Sequence, residues 1–205
     1  MKIIWHGHAC FEIVSSDGSI VLDPYADGKL PGLTLPTLHA DAVVCSHSHA
    51  DHSASEKVVL SGKAPRFKLT HIPTWHDECQ GKKRGANSIT VIEAEGLRLA
   101  HMGDLGHMPT QEQFKLLGRV DILMIPVGSV YTIDAVTAKE ITDKLKPLIV
   151  IPMHYKGEGV GLENISGCDR FTELFPEKVV QYKYSPKMEV NMPAEPCVWV
   201  PAWPK

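Results

Sequence analysis

The sequence predicts an α/β protein in which sheets are covered on the outside by helices. Three observations point there. The first half of the chain carries short β-branched runs parted by turns. The second half alternates apolar strands with amphipathic helical stretches. No Ser/Gly/Pro-rich linker interrupts the 205 residues, so 1–205 reads as a single domain.

Taken in order, the expected strands are Lys2–Trp5, Cys10–Val14, Ile20–Leu22, Ala42–Cys45, Phe67–Ile72, Ser88–Glu93, Leu97–His101, Ile122–Pro126, Leu148–Pro152, Val179–Tyr182 and Cys197–Val200. Ser16-Asp17-Gly18 and Ala94-Glu95-Gly96 supply hairpin turns between neighbours. Ala135–Leu145 places Ala138, Ile141 and Leu145 on one helical stripe, closed by Lys146-Pro147. Thr110–Leu117 opens with a Thr cap and has Gln at the capping-box position. Further helices are expected over Asn164–Leu174 and Ser53–Leu60. The proline-rich tail from Ser185 is expected to finish as an edge strand.

Bulk composition narrows the function. Hydrophobic residues make up 43% and charged residues 22%, which excludes a disordered chain. The net charge of -3 gives no overall pull towards nucleic acid or anionic lipid. Five cysteines form no CxxC pair and no even framework, so reduced thiols in a cytoplasmic protein are expected. His6 and His8 interrupt the N-terminal apolar run, and no stretch has the length of a membrane span.

The unusual feature is histidine. Val43-Val44-Cys45-Ser46-His47-Ser48-His49-Ala50-Asp51-His52-Ser53 follows a buried-looking strand, precedes an expected helix start and places four metal-ligating side chains within six residues. Small Ser48 and Ala50 let the loop curl. Imidazole and carboxylate suit zinc and similar divalent ions. The cluster lacks Cys and holds more ligands than one closed structural site needs, which favours an open catalytic site over a histidine-rich surface loop.

At this point the chain resembles the metallo-β-lactamase fold superfamily. The HxHxDH motif is matched by His47, His49, Asp51 and His52. A lone histidine follows at His76, then Gly103-Asp104 after a strand, then His154 after another, all in the family's order. The resemblance implies a four-layer αββα sandwich with ligands on loops at one edge. It implies two divalent metal ions, zinc by prior, with manganese, iron, nickel or cobalt as alternatives. His47, His49 and His76 would hold the first ion, Asp51, His52 and His154 the second, and Asp104 would bridge both. Trp5-His6-Gly7-His8-Ala9-Cys10-Phe11, Leu22-Asp23-Pro24 and Lys83-Arg84-Gly85-Ala86-Asn87 further resemble the branch containing ascorbate-6-phosphate lactonase.

The implied chemistry is hydrolysis. Two cations about 3.5–4 Å apart can share a water and ionise it near neutral pH. The bridging hydroxide would then attack a small ester, lactone or phosphorylated substrate, with Asp51 and Asp104 as the catalytic carboxylates. The oxygen and nitric oxide reductases of this fold carry Glu where this chain has His49 and lack the equivalent of His52, which favours hydrolysis over redox chemistry. Phosphodiester or RNA cleavage is the second reading, weakened by the net charge and the lack of an appended nucleic-acid module. A metal-binding or ligand-sensing protein without turnover is the third. The partner expected is a small molecule, not a membrane or nucleic acid, and a homo-oligomer is compatible with the sequence.

Other residues are open to two readings. His8, Lys83, Arg84, Tyr131 and Lys156 are candidate substrate contacts, each set against a structural or solvated role. Asp23 and Asp77 either orient a ligand histidine or cap a turn. His101 is expected to support the site or fill the core, and Trp199 and Trp203 to pack.

Overall fold

Alternation decides the first sheet. In β1 (Lys2–Trp5), Ile3 and Trp5 are buried while Lys2 and Ile4 are less so. A hairpin joins β2 (Phe11–Ser15) to β3 (Gly18–Leu22) through the expected turn. β4 (Leu38–Ala40), β5 (Ala42–Val44) and β6 (Val58–Leu60) follow. The protein is described here by a computed structural model covering residues 1–204.

The second sheet uses longer, more deeply buried runs. Its strands are β7 (Lys68–Trp75), β8 (Ala86–Ala94), β9 (Leu97–His101), β10 (Ile122–Pro126), β11 (Ile149–Met153), β12 (Val180–Tyr182) and β14 (Cys197–Val200). β13 (Lys187–Glu189) instead crosses to the first sheet. The orders are β13-β1-β2-β3-β5 and β12-β14-β11-β10-β9-β8-β7, with a small β4-β6 pair beside them. β10 and β11 are buried at every position, as strands covered on both faces must be.

Ile3, Trp5, Phe11, Ile13, Ile20 and Leu22 join Ile89, Leu99, Leu123 and Ile151 in one core shared by the two sheets. On the outer side of the first sheet, Cys10 and Val21 pack with Tyr25, Leu30, Leu33 and Leu35. Helices α1 (Gln111–Leu117), α2 (Ala135–Leu145) and α3 (Asp169–Thr172) lie with the second sheet. Thr110 and Gln113 form the anticipated capping box, and Asp134 caps α2. This is a mixed α/β sandwich of two sheets, as the sequence predicts.

Local expectations failed where pairing overrode periodicity. Ser53–Leu60 is not a helix: one 3-10 turn (Ser55–Lys57) leads into β6, because Val58-Val59-Leu60 finds a parallel partner in β4. Asn164–Leu174 is helical only over Asp169–Thr172, because residues 156 and 128 capture the Ser166 backbone first. Cys197–Val200 is an interior strand between β11 and β12, not an edge, and it carries no proline. β12 takes the edge instead. The strand expected to stop at Ile72 continues to Trp75, and its Pro73 is tolerated because β7 is itself an edge strand.

No cysteine among the described residues forms a disulfide, and Cys10 and Cys197 are buried. No described helix is long and apolar enough to cross a membrane.

Candidate metal centre

Strand direction gathers the site. β9, β10 and β11 run parallel, and β7 shares their direction because β8 is antiparallel to both β7 and β9. Their C-terminal ends deliver His76, Asp104, Tyr131 and His154 to one edge of the sandwich. β1, β3 and β5 of the first sheet deliver His8, Asp23 and the 47–52 loop.

Asp104 is the hub. Its Oδ2 lies 3.1 Å from His76 Nε2 and 3.1 Å from His154 Nε2. It is 3.3 Å from His52 Nε2 and 4.0 Å from His47 Nε2. Asp51 Oδ2 is 3.7 Å from His52 Nε2. The candidate ligand atoms of His47, His49 and His76 fall within 4.8 Å of one another, as do those of His8, Asp51, His52 and His154. All seven residues expected as ligands therefore meet in space.

The approach is tight enough to require glycine beside the hub. Gly103 has φ +55°, and a Cβ there would sit 2.4 Å from Asn87 Oδ1 and 2.5 Å from Ser46 Cβ. Asn87 in turn accepts the Asp104 N–H at 2.8 Å, and its amide donates to Thr74 and to the Met102 carbonyl.

Hydrogen bonds behind the rings set their tautomers. Asp23 accepts the Ser46 N–H (2.6 Å), the Ser46 hydroxyl (2.6 Å) and the His52 Nδ1–H (2.8 Å). With its proton committed to Asp23, Ser46 Oγ accepts the His47 Nδ1–H at 2.9 Å. His76 Nδ1–H donates to the Tyr131 carbonyl at 3.1 Å. Each of these rings turns its Nε2 inward, the arrangement that fixes metal-ligating histidines.

The fit to a metal ion rests on the donors. The Nε2 atoms of His47, His52 and His154 and the Oδ1 of Asp104 are buried without hydrogen-bond partners. Buried polar atoms in native proteins are almost always paired. Imidazole and carboxylate atoms left bare and converging fit divalent cations.

Burial and neighbours also set the charges. Burial would push Asp104 up, but His154 and His52 hold it well below the usual carboxylate range. Burial would lower His52, but Asp104 and Asp23 raise it well above its ordinary value. Burial lowers His47 to about 4, and burial with His154 lowers His8 to about 3. The last two carry a sign for stability. Unfolded, both rings take up a proton near their ordinary 6.5; folded, they stay neutral to about 4 and about 3. Their contribution is present above 6.5 and lost as pH falls towards those values, whereas that of His52 is flat below 6.5. The unfolding temperature of chelator-treated protein is therefore expected to fall on acidification from pH 6.5 to about 4, and a scan that rose instead would contradict this burial.

A cavity of about 320 Å³ opens over the cluster, lined by His49, Asp51, His76, Arg84, Asp104, Tyr131, His154 and Leu162. A larger apolar groove between α2 and β14 touches none of them. Of the expected substrate contacts, Arg84 and Tyr131 line the cavity, with the guanidinium 5.5 Å over the ring. Lys83, Lys156 and His8 do not. Lys83 is exposed and paired with Glu78. Lys156 donates to the Glu163 carbonyl at 2.7 Å. His8 is buried behind the wall, beside Asp51. Asp77 proves to be a loop organiser: its carboxylate accepts the N–H groups of Cys79, Gly81, Lys83 and Arg84, which carries Arg84 to the rim.

Three residues at the site carried no expected role. Asn87 and Ser46 lay inside quoted motifs, which was the available signal; Leu162 had none.

A two-sheet sandwich with a His/Asp cluster on its strand-end loops defines a class of metal-binding fold. The model of the Beta-lactamase superfamily domain matches residues 2–154. The chain belongs to the metallo-β-lactamase superfamily. It is 27% identical over 187 residues to a UPF0173 metal-dependent hydrolase of Thermoplasma acidophilum, covering 76% of this chain and 83% of the relative. A crystal structure from Thermotoga maritima, described as a candidate Zn-dependent hydrolase of the superfamily, is 32% identical, covers 97% of both chains and has a TM-score of 0.77. A metallo hydrolase of Ignicoccus hospitalis, 21% identical with a TM-score of 0.59 over 76% of this chain and 82% of that one, shares the fold. The enzyme class expected from the sequence, a metal-dependent hydrolase, agrees with these names.

Proposed function

We propose that the chain acts as one hydrolase domain whose seven clustered ligands bind two divalent cations, zinc in the first instance, and that it cleaves a small ester, lactone or phosphorylated molecule. The observation that carries this reading is the convergence of His47, His49, His76, His52, His154 and Asp51 around Asp104, with several donor atoms buried and unpaired. Bound there, the cations supply Lewis acidity and an ionised water at neutral pH.

The protein's own part is positioning and charge. His76, His47 and His52 present fixed Nε2 atoms. Burial pushes Asp51 up, but His8 and His52 hold its carboxyl below the usual range, so it is ionised and able to accept a hydrogen bond that orients a water. Arg84 stands at the cavity wall as a planar cation suited to a carboxylate or phosphate. The three segments that resemble the lactonase branch support this reading: they supply His8, Asp23, Arg84 and Asn87 around the cluster.

Elemental analysis of protein purified without added salts, followed by assays on lactone, ester and bis-phosphodiester reporters with each metal, tests the reading. Turnover of the first two supports it. Preference for the diester favours the phosphodiesterase alternative, and bound metal without any turnover favours a non-catalytic protein. Arg84→Ala is expected to raise KM for anionic substrates roughly tenfold or more with kcat little changed, because it removes binding remote from the reacting bond. An unchanged KM would take Arg84 out of the substrate site.

A further inference from the structure

His8 is held more firmly than a cavity residue needs to be. It lies three residues past β1 at φ +52°, a conformation costly for a non-glycine residue. Its carbonyl accepts the Trp5 Nε1–H at 3.0 Å and the His154 N–H at 3.2 Å. The next carbonyl, of Ala9, accepts the His101 Nε2–H at 2.9 Å, and His101 Nδ1 accepts the Gly103 N–H at 3.3 Å. One histidine thus ties the His8 loop to the loop that carries Asp104.

The ring so held makes no hydrogen bond. His8 is 1% exposed, and neither Nδ1 nor Nε2 has a hydrogen-bond partner. A neutral imidazole carries one donor and one acceptor, and a packing histidine satisfies at least one of them. Here the ring stands 4.0 Å from His154 and 5.0 Å from His52, centroid to centroid. Its Nε2 is 3.5 Å from Asp51 Oδ2, and it does not line the cavity.

We propose that His8 is itself a metal ligand, completing a His8–Asp51–His52–His154 set at the second cation position. The inference rests on the metal-centre reading above and extends it. With Asp104 shared, the second position has five protein donors and the first, with His47, His49 and His76, has four.

Metal titration of chelator-treated protein with zinc and with cadmium, followed by calorimetry and elemental analysis, is the test. Wild type is expected to bind two ions. His8→Phe and His8→Gln are expected to keep the first affinity and lose roughly 100-fold in the second, at or above the usual effect of losing a supporting group. Their metal-free unfolding temperature is expected to stay level or rise, because the ring makes no hydrogen bond and Asp51 Oδ2 stands 3.5 Å from its Nε2. Wild-type affinity at both positions in the folded variants, or a lower metal-free unfolding temperature with unchanged affinity, overturns the assignment and makes His8 structural. If neither variant folds, isotope-labelled wild type loaded with cadmium decides: metal–nitrogen coupling to the His8 ring supports it and its absence overturns it. A wild type that binds no metal at all sinks the metal centre itself, a result distinct from the failure of His8 alone.

Discussion

Replacing Asp104 with Asn is expected to lower bound metal by at least one ion per chain and hydrolysis by roughly a thousandfold or more, since a metal-supplied Lewis acid is worth several kcal/mol of barrier. The carboxylate stands within 3.1–4.0 Å of four imidazole Nε2 atoms. It stands within reach of histidines from both ligand groups, so its loss is expected to weaken both positions. Asn keeps the shape and the backbone bond to Asn87, so packing is conserved while the charge disappears. Metal content and rate measured on the same preparation check this. A variant with full metal and full rate would remove Asp104 from the centre.

Asp23→Ala is expected to destabilise the metal-free protein by about 3–5 kcal/mol, the range for breaking a buried charged pair, and to weaken metal binding roughly 10- to 100-fold. Three donors converge on this carboxylate, two from Ser46 and one from His52. Burial would push the group up, but the His52 hydrogen bond holds it below its ordinary value. Removing it leaves a buried N–H, a hydroxyl and an imidazole without their acceptor and frees the tautomers of His52 and His47 together. Asp23 also sits at φ +48°, which Asn tolerates better than Ala. Asp23→Asn is therefore expected to fall between wild type and Ala. Urea denaturation of chelator-treated protein and metal competition read the two effects separately; wild-type behaviour in both would refute the role.

Much of the site was legible along the chain. HxHxDH packs four ligands into one turn, and a lone His, a Gly-Asp and a second His follow strands in family order. Several strands were legible as well, because short runs such as Ile122–Pro126 and Leu97–His101 have no helical period. Partners were harder to read. Asp23 and Ser46 lie 23 residues apart, and nothing in either neighbourhood announces that one fixes the histidines next to the other. Of two adjacent cations, Lys83 turned outward to Glu78 and Arg84 turned to the cavity. That choice depends on how Asp77 folds the loop, not on residue type. His8 was read as a substrate contact because its motif lies near the site; burial puts it behind the wall.

The residue types and spacings by themselves determined the α/β class and the four ligands of the HxHxDH loop, and resemblance to the family added His76, Asp104 and His154. Such information is local: a hydrophobic period or a ligand spacing survives wherever the segment is placed. The tertiary structure alone decided which ring nitrogens face inward, which carboxylate holds them, which cation reaches the cavity and where β13 and β14 pair. Those outcomes depend on two sheets meeting in a particular register, and contacts made between sheets leave no pattern within either strand.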